Sequence, residues 1–234
     1  FKSLAEFEFP LPPRPRQEEM LEVLKAFYNA EMKNLNAISA HQRLYINIRY
    51  NLMNKGINIF SENPENTWTE TKFENVAFLQ RGFDLPEQNR EEGSTPIYAS
   101  TSIVGYHKEY MVEGPGVVTG RSGTIGQVAY VEENYWPLNT ALFVKDFGGN
   151  NPKFVKYFIE NFRLERFASG SGVPTLNRND VHRVMVKAPE IEEQIVIKDL
   201  LDVVVQQGEV LNDNYKKIIK SKNKFMTSLL RDAA

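Results

Sequence analysis

Cysteine is missing altogether from these 234 residues, so the fold has no disulfide to lean on. Histidine is almost as scarce, with His41, His107 and His182 far apart; no zinc-like ligand set can be built from local spacing, and no metal is expected. Long apolar runs are also absent. Ala141 to Val144 and Val203 to Val205 fall far short of the roughly 20 residues a membrane helix needs. The chain shows no charged start with an apolar stretch and cleavage site. A soluble, cytoplasmic protein without a membrane partner is expected. An excess of one charge is lacking too: a net charge of -2 and a pI of about 6.0 argue against coating nucleic acid by bulk electrostatics.

What is present is a core's worth of apolar residues, 41% hydrophobic with 12% aromatic. Charge is unevenly placed: Lys216, Lys217, Lys220, Lys222, Lys224 and Arg231 follow one another without an acid between them, while residues 61–187 carry more acid than base. That basic run reads first as the solvated face of a helix.

After Pro189, Leu201, Val204, Gly208, Leu211, Tyr215, Ile218, Lys222, Phe225 and Leu229 alternate by three and four, a heptad seam. Leu24, Phe27, Ile38, His41, Tyr45, Ile48 and Leu52 form a patchier one, interrupted by Glu31 and Asn34. Helices over residues 17–55 and 191–234, each about 60 Å long, are expected to pair antiparallel. A shift that carries Pro12 onto Pro189 also carries Gln17 onto Gln194, Leu24 onto Leu201 and Leu52 onto Leu229. An apolar stretch, a proline turn and a long helix are thus written twice.

Between the helices, short apolar runs are broken by glycine, proline and asparagine. Strands are predicted at Pro96–Ala99, Tyr106–Tyr110, Gly116–Thr119, Gln127–Val131 and Ala141–Lys145. One helix, opened by Pro152, turns Phe154, Phe158 and Phe162 inward as core. The fold class is α+β, a mostly β domain (56–190) flanked by two long α-helices forming an antiparallel coiled coil.

No catalytic constellation stands out. Gly120 to Gly126 is glycine-rich but lacks the lysine of a phosphate loop and lies between strands, which suits a hairpin. Glu70-Thr71-Lys72 has the acid-x-lysine order of many nucleases without a well-placed upstream acid. Asn151-Pro152-Lys153-Phe154 departs from an adenine methyltransferase loop, with lysine for the second proline and no glycine-rich cofactor loop before it.

Gly116-Val117-Val118-Thr119-Gly120-Arg121-Ser122-Gly123-Thr124-Ile125-Gly126, then Asn139-Thr140-Ala141-Leu142, resembles a target recognition domain of type I restriction-modification specificity subunits. Ser169 to Leu176, an apolar strand, Pro189, Glu193-Gln194 and a long helix are similar to that family's passage into its spacer helix, and Trp68 with Arg81-Gly82 to its entry. The resemblance implies a non-catalytic, DNA-binding subunit that reads one half of a split target in double-stranded DNA. It implies docking to methyltransferase subunits that hold S-adenosylmethionine and, through the assembled complex, to an ATP-driven restriction subunit, with self-association a further option. No cofactor is expected on this chain itself. Residues 1–16 would then be the terminal strand and proline turn of a missing preceding domain. The alternative is a coiled-coil interaction scaffold that reads no DNA.

Base reading needs donors and acceptors on loops. The candidates are Lys72, Arg81, Gln88, Asn89, Arg90, Thr101, Ser102, Lys108, Arg121, Ser122, Thr124, Ser171 and Thr175; taken singly, each reads first as a solvated side chain, and Arg121 could brace its turn. Helix pairing is assigned to Leu24, Phe27, Ile38, Tyr45, Ile48, Leu52, Leu201, Val204, Leu211, Tyr215, Ile218, Phe225 and Leu229.

Overall fold

The computed structural model describes residues 12–57, 68–170 and 172–232, with the side chains of 230–232 excepted. The expected strand over residues 1–9, Ser171 and the Arg231 side chain lie outside the described residues. Two compact units are present, Phe1–Asn47 with Asp202–Ala234, and Ile48–Leu201. Two long helices, α1 (Arg14–Lys55) and α5 (Ile191–Asp232), contribute residues to both.

In the first unit the helices pair antiparallel. Phe27 and Phe225 meet ring to ring at 5.8 Å, Glu31 accepts from Lys222 Nζ at 2.7 Å, and His41 Nε2 lies 2.8 Å from the Val204 carbonyl oxygen. The partner numbers fall as the first helix rises. Leu24, Ile38 and Tyr45 are half-buried, as are Val204, Leu211, Tyr215, Ile218 and Leu229. Glu31 and Asn34, which break the apolar pattern, also stand in the seam: Glu31 is held by Lys222 and by the Tyr215 hydroxyl at 3.5 Å. Gly208 admits the His41 ring, since a Cβ there would lie 2.7 Å from His41 Cε1. Such polar matches penalise every other register.

Helix α1 begins at Arg14, three residues ahead of the sequence expectation. Pro15 falls in the first turn, where no N–H is needed, and the Arg16 and Gln17 amides donate to the Pro13 carbonyl instead. The repeated motif has a repeated contact. Gln17 Nε2 donates to the Pro12 carbonyl at 2.8 Å, and Gln194 Nε2 to the Pro189 carbonyl at 2.9 Å.

The second unit holds the sheets. Ile48 is half-buried there, Leu52 and Leu201 fully so. Helix α1 stops at Gly56, whose φ of +71° a side chain would resist. Strand β1 (Thr69–Lys72) then leads through α2 (Phe73–Val76) into β2 (Phe78–Arg81). Next come β3 (Thr95–Ala99), β4 (Ser102–His107), β5 (Gly116–Gly120), β6 (Val128–Val131), β7 (Trp136–Pro137) and β8 (Ala141–Asp146). Helix α3 (Pro152–Phe162), β9 (Ala168–Ser169), β10 (Thr175–Leu176), α4 (Arg178–His182) and β11 (Met185–Ala188) complete it. An antiparallel sheet runs β2-β8-β5-β6; a second runs β4-β3-β7, with β7 parallel to β3; β1 pairs with β11 and β9 with β10.

Every residue of β5 is buried, which explains its unbroken Gly-Val-Val-Thr-Gly sequence. Val118, Val131, Tyr135, Ala141 and Phe143 form the core behind it. Helix α3 packs on β5 and β6. Its Asn151 side chain caps the Lys153 and Phe154 amides at 3.0 and 3.1 Å, so Asn-Pro here opens a helix. Phe154, Phe158 and Phe162 are buried, the last two against Phe73. The strand predicted at Tyr106–Tyr110 is displaced: β4 starts at Ser102 and ends at His107, because Met111 and Val112 turn to the Tyr135 carbonyl.

Candidate nucleic-acid interface

The connection between β5 and β6, residues 121–127, draws several loops together. Thr124 Oγ1 donates to Ser100 Oγ at 2.7 Å and Thr101 Oγ1 to Gln127 Oε1 at 3.2 Å, tying it to the β3–β4 turn where Ser102 begins β4. Gly120 makes this approach feasible: a Cβ would lie 2.4 Å from Ser100 Oγ and 2.5 Å from the Thr124 carbonyl oxygen. On the other side Ser122 bridges to Thr175, and the Leu176 amide donates to the Arg121 carbonyl at 2.8 Å.

Arg121 is half-buried. Its amide donates to the Thr140 carbonyl at 2.9 Å, while its guanidinium makes a long 3.5 Å contact with the Asn139 carbonyl. The turn is therefore braced by main chain, and the guanidinium is held weakly. Asn139 in turn donates from Nδ2 to Asp84 Oδ1, and Arg81 NH2 stands 3.9 Å from the same carboxylate oxygen. Arg81, Thr101, Ser102, Arg121, Ser122, Thr124 and Thr175 thus lie on linked segments. Ser100, Asp84, Gln127 and Asn139 join them, although the sequence pattern does not single them out. Asn139 sits in the motif that carries the family resemblance, but its partner Asp84 is 55 residues away and gives no local signal.

The other candidates stand apart. Gln88 and Asn89 occupy an exposed 3₁₀ turn, Glu87–Asn89. Arg90 is half-buried, its Nε without a hydrogen-bond partner among the described residues. Lys108 Nζ donates to Glu91 Oε2 at 2.6 Å. That hydrogen bond and the ammonium charge hold the Glu91 carboxyl below its ordinary range, and the carboxylate raises Lys108 in return. Lys72 ends β1, with its ammonium 3.4 Å from Glu74 Oε1.

The sequence profile of the type I restriction modification DNA specificity domain matches residues 65–221. The chain belongs to that family. It is 27% identical over 120 residues to the type I restriction enzyme EcoprrI specificity subunit of Escherichia coli, covering 51% of this chain and 30% of that protein. Its fold is similar to the type I restriction-modification S subunit from M. genitalium, with a TM-score of 0.68 and 15% identity over 91% of this chain and 60% of that one. It is also similar to the HsdS subunit from Thermoanaerobacter tengcongensis, with a TM-score of 0.61 and 13% identity over 97% and 61%. The chain therefore spans under two thirds of each of these specificity subunits. The mixed α and β architecture of this chain, with its long helices α1 and α5, matches the fold of the two solved S subunits. Among the described residues, no helix is long and apolar enough to cross a membrane and no group of metal-ligating side chains is assembled.

Proposed function

We propose that this chain reads one half of a split DNA target for a type I restriction-modification complex, without catalysis or cofactor of its own. The observation that carries the proposal is the linked polar loop cluster around Arg121, built on the domain that defines the family match. Its hydroxyls, amides and guanidinium groups are the chemistry that base edges in a major groove pair with. Arg121 suits a guanine, because its turn is already braced by main-chain bonds and its side chain is loosely held. Methyltransferase subunits would dock on this chain and bring S-adenosylmethionine, and the restriction subunit would join through the assembled complex. The setting of such a complex is the cytoplasm.

In a complex assembled with the methyltransferase subunit, Arg121→Ala is expected to weaken cognate binding by about 1–3 kcal/mol and relax one base position. Methylation-site sequencing reads that position, and thermal melting of the same variant reports any loss of fold. A normally folded, active complex with an unchanged motif removes Arg121 from the reading residues. DNA affinity that is absent, or insensitive to salt, favours the scaffold reading instead.

A further inference from the structure

One short stretch of the β unit leaves its apolar side chains in solvent. Ile103, Val104 and Tyr106 on β4, and Tyr110 and Met111 just beyond it, are each between 43% and 54% exposed. Single exposed apolar residues are ordinary, but five within the nine positions 103–111 are not. Strand β4 is the outer strand of its sheet, so among the described residues no strand pairs with its free edge.

These residues share a surface. In the β3–β4 pairing Tyr106 stands opposite Pro96 and Ile103 opposite Tyr98, whose phenol is held above its ordinary value by burial. Tyr98 meets Tyr135 edge-on at 6.0 Å, and the Tyr135 carbonyl accepts from the Met111 amide at 3.2 Å. Tyr110 Oη donates to Glu113 Oε1 at 3.4 Å, and Gly114 packs on the Glu132 and Glu133 carbonyls.

The rim is acidic. Glu91, Glu92, Glu109, Glu113, Glu132 and Glu133 are exposed, whereas Lys108 is engaged by Glu91 and Arg90 is half-buried. Phosphates would be repelled here, as would anionic lipid and the same face of a second copy. Tyrosine and methionine over an acidic border suit a protein with an apolar centre and a basic rim. We propose that the β4 face is a protein-docking surface, and that its occupant is a basic face of the methyltransferase subunit; this rests on the function proposed above. Gln88, Asn89, Arg90 and Lys108 then border a protein interface and read no bases.

The test titrates the full chain with the methyltransferase subunit, and separately with target DNA. Two variants are compared with the parent: Tyr106→Lys with Tyr110→Lys, and Glu113→Lys with Glu133→Lys. Each is expected to weaken assembly by more than about tenfold while DNA affinity does not fall. The glutamate pair, being exposed, keeps the test valid should the tyrosine pair fail to fold. Folded variants that assemble like the parent, or that lose DNA affinity and still assemble, overturn the docking surface and leave the specificity reading standing. A parent chain that neither assembles nor directs methylation overturns the specificity reading and this proposal with it.

Discussion

Replacing Gln194 with alanine separates two glutamines that the sequence makes look equivalent. The Gln194 side chain is buried, and its Oε1 accepts from the Asn151 amide at 2.9 Å. Its Nε2 donates to Asn150 Oδ1 at 2.6 Å and to the Pro189 carbonyl at 2.9 Å. Three such bonds contribute about 1 kcal/mol each, and buried partners left unsatisfied add roughly 1–3 kcal/mol. The expected loss is about 4–6 kcal/mol, or about 12–18 °C in melting temperature at about 3 °C per kcal/mol for a chain of this size. Gln17 makes the same bond to Pro12, but the residue is exposed, and Gln17→Ala should stay within about 0.5 kcal/mol. Thermal and urea melting of the two variants measure the difference. Equal shifts, or a Gln194→Ala loss under about 1 kcal/mol, refute the assignment of Gln194 as the bond that ties the start of α5 to the cap of α3.

Three further outcomes follow from the same geometry. Ile218→Asp with Phe225→Asp places two carboxylates in the helix seam and should cost several kcal/mol; an unchanged melting temperature refutes the pairing. Burial, together with Arg178 and against the pull of Glu74, holds the His182 imidazole below its ordinary value, and its Nε2 accepts from the Leu79 amide at 3.0 Å. The unfolded chain therefore takes up that proton first, so this stability is complete above about pH 6.5 and declines as pH falls from there through the lower folded value. His182→Gln should flatten the slope of melting temperature against pH, and an unaltered slope counts against the assignment. Lys217, Lys220 and Lys224 are exposed on α5; replacing them with glutamine should leave the methylated motif unchanged and flatten the salt dependence of DNA binding by about one unit for each phosphate these lysines neutralise.

The architecture was legible where it rests on periodicity. The α5 seam from Leu201 to Leu229 alternates in burial as its spacing implies, and α3 buries the three phenylalanines that its helical spacing aligned. Glu31 looks like an interruption because a single chain segment does not show its partner; Lys222, 191 residues later, makes it a seam residue. The extent of β4 departs from its sequence pattern for a related reason. The apolar residues Tyr110, Met111 and Val112 continue that pattern, but Met111 and Val112 are claimed by Tyr135 from beyond β6.

The site was legible only as a class of residues on loops, because its contacts join positions remote in sequence. Thr124 meets Ser100, Arg121 meets Asn139, and Asn139 meets Asp84 across turns whose lengths say nothing of their pairing. Charge divides the candidates further. Arg81 and Arg121 share a network with one carboxylate, Asp84, whereas Lys108 and Arg90 stand amid exposed glutamates. A base-reading arginine must keep a guanidinium free to leave its intramolecular partner for a guanine. The 3.5 Å contact of Arg121 meets that requirement, and the 2.6 Å ion pair of Lys108 with Glu91 does not. Lys108→Ala should accordingly leave the methylated motif unchanged where Arg121→Ala relaxes it. Methylation-site sequencing of both variants decides between them, and the opposite pattern would move the reading face to β4.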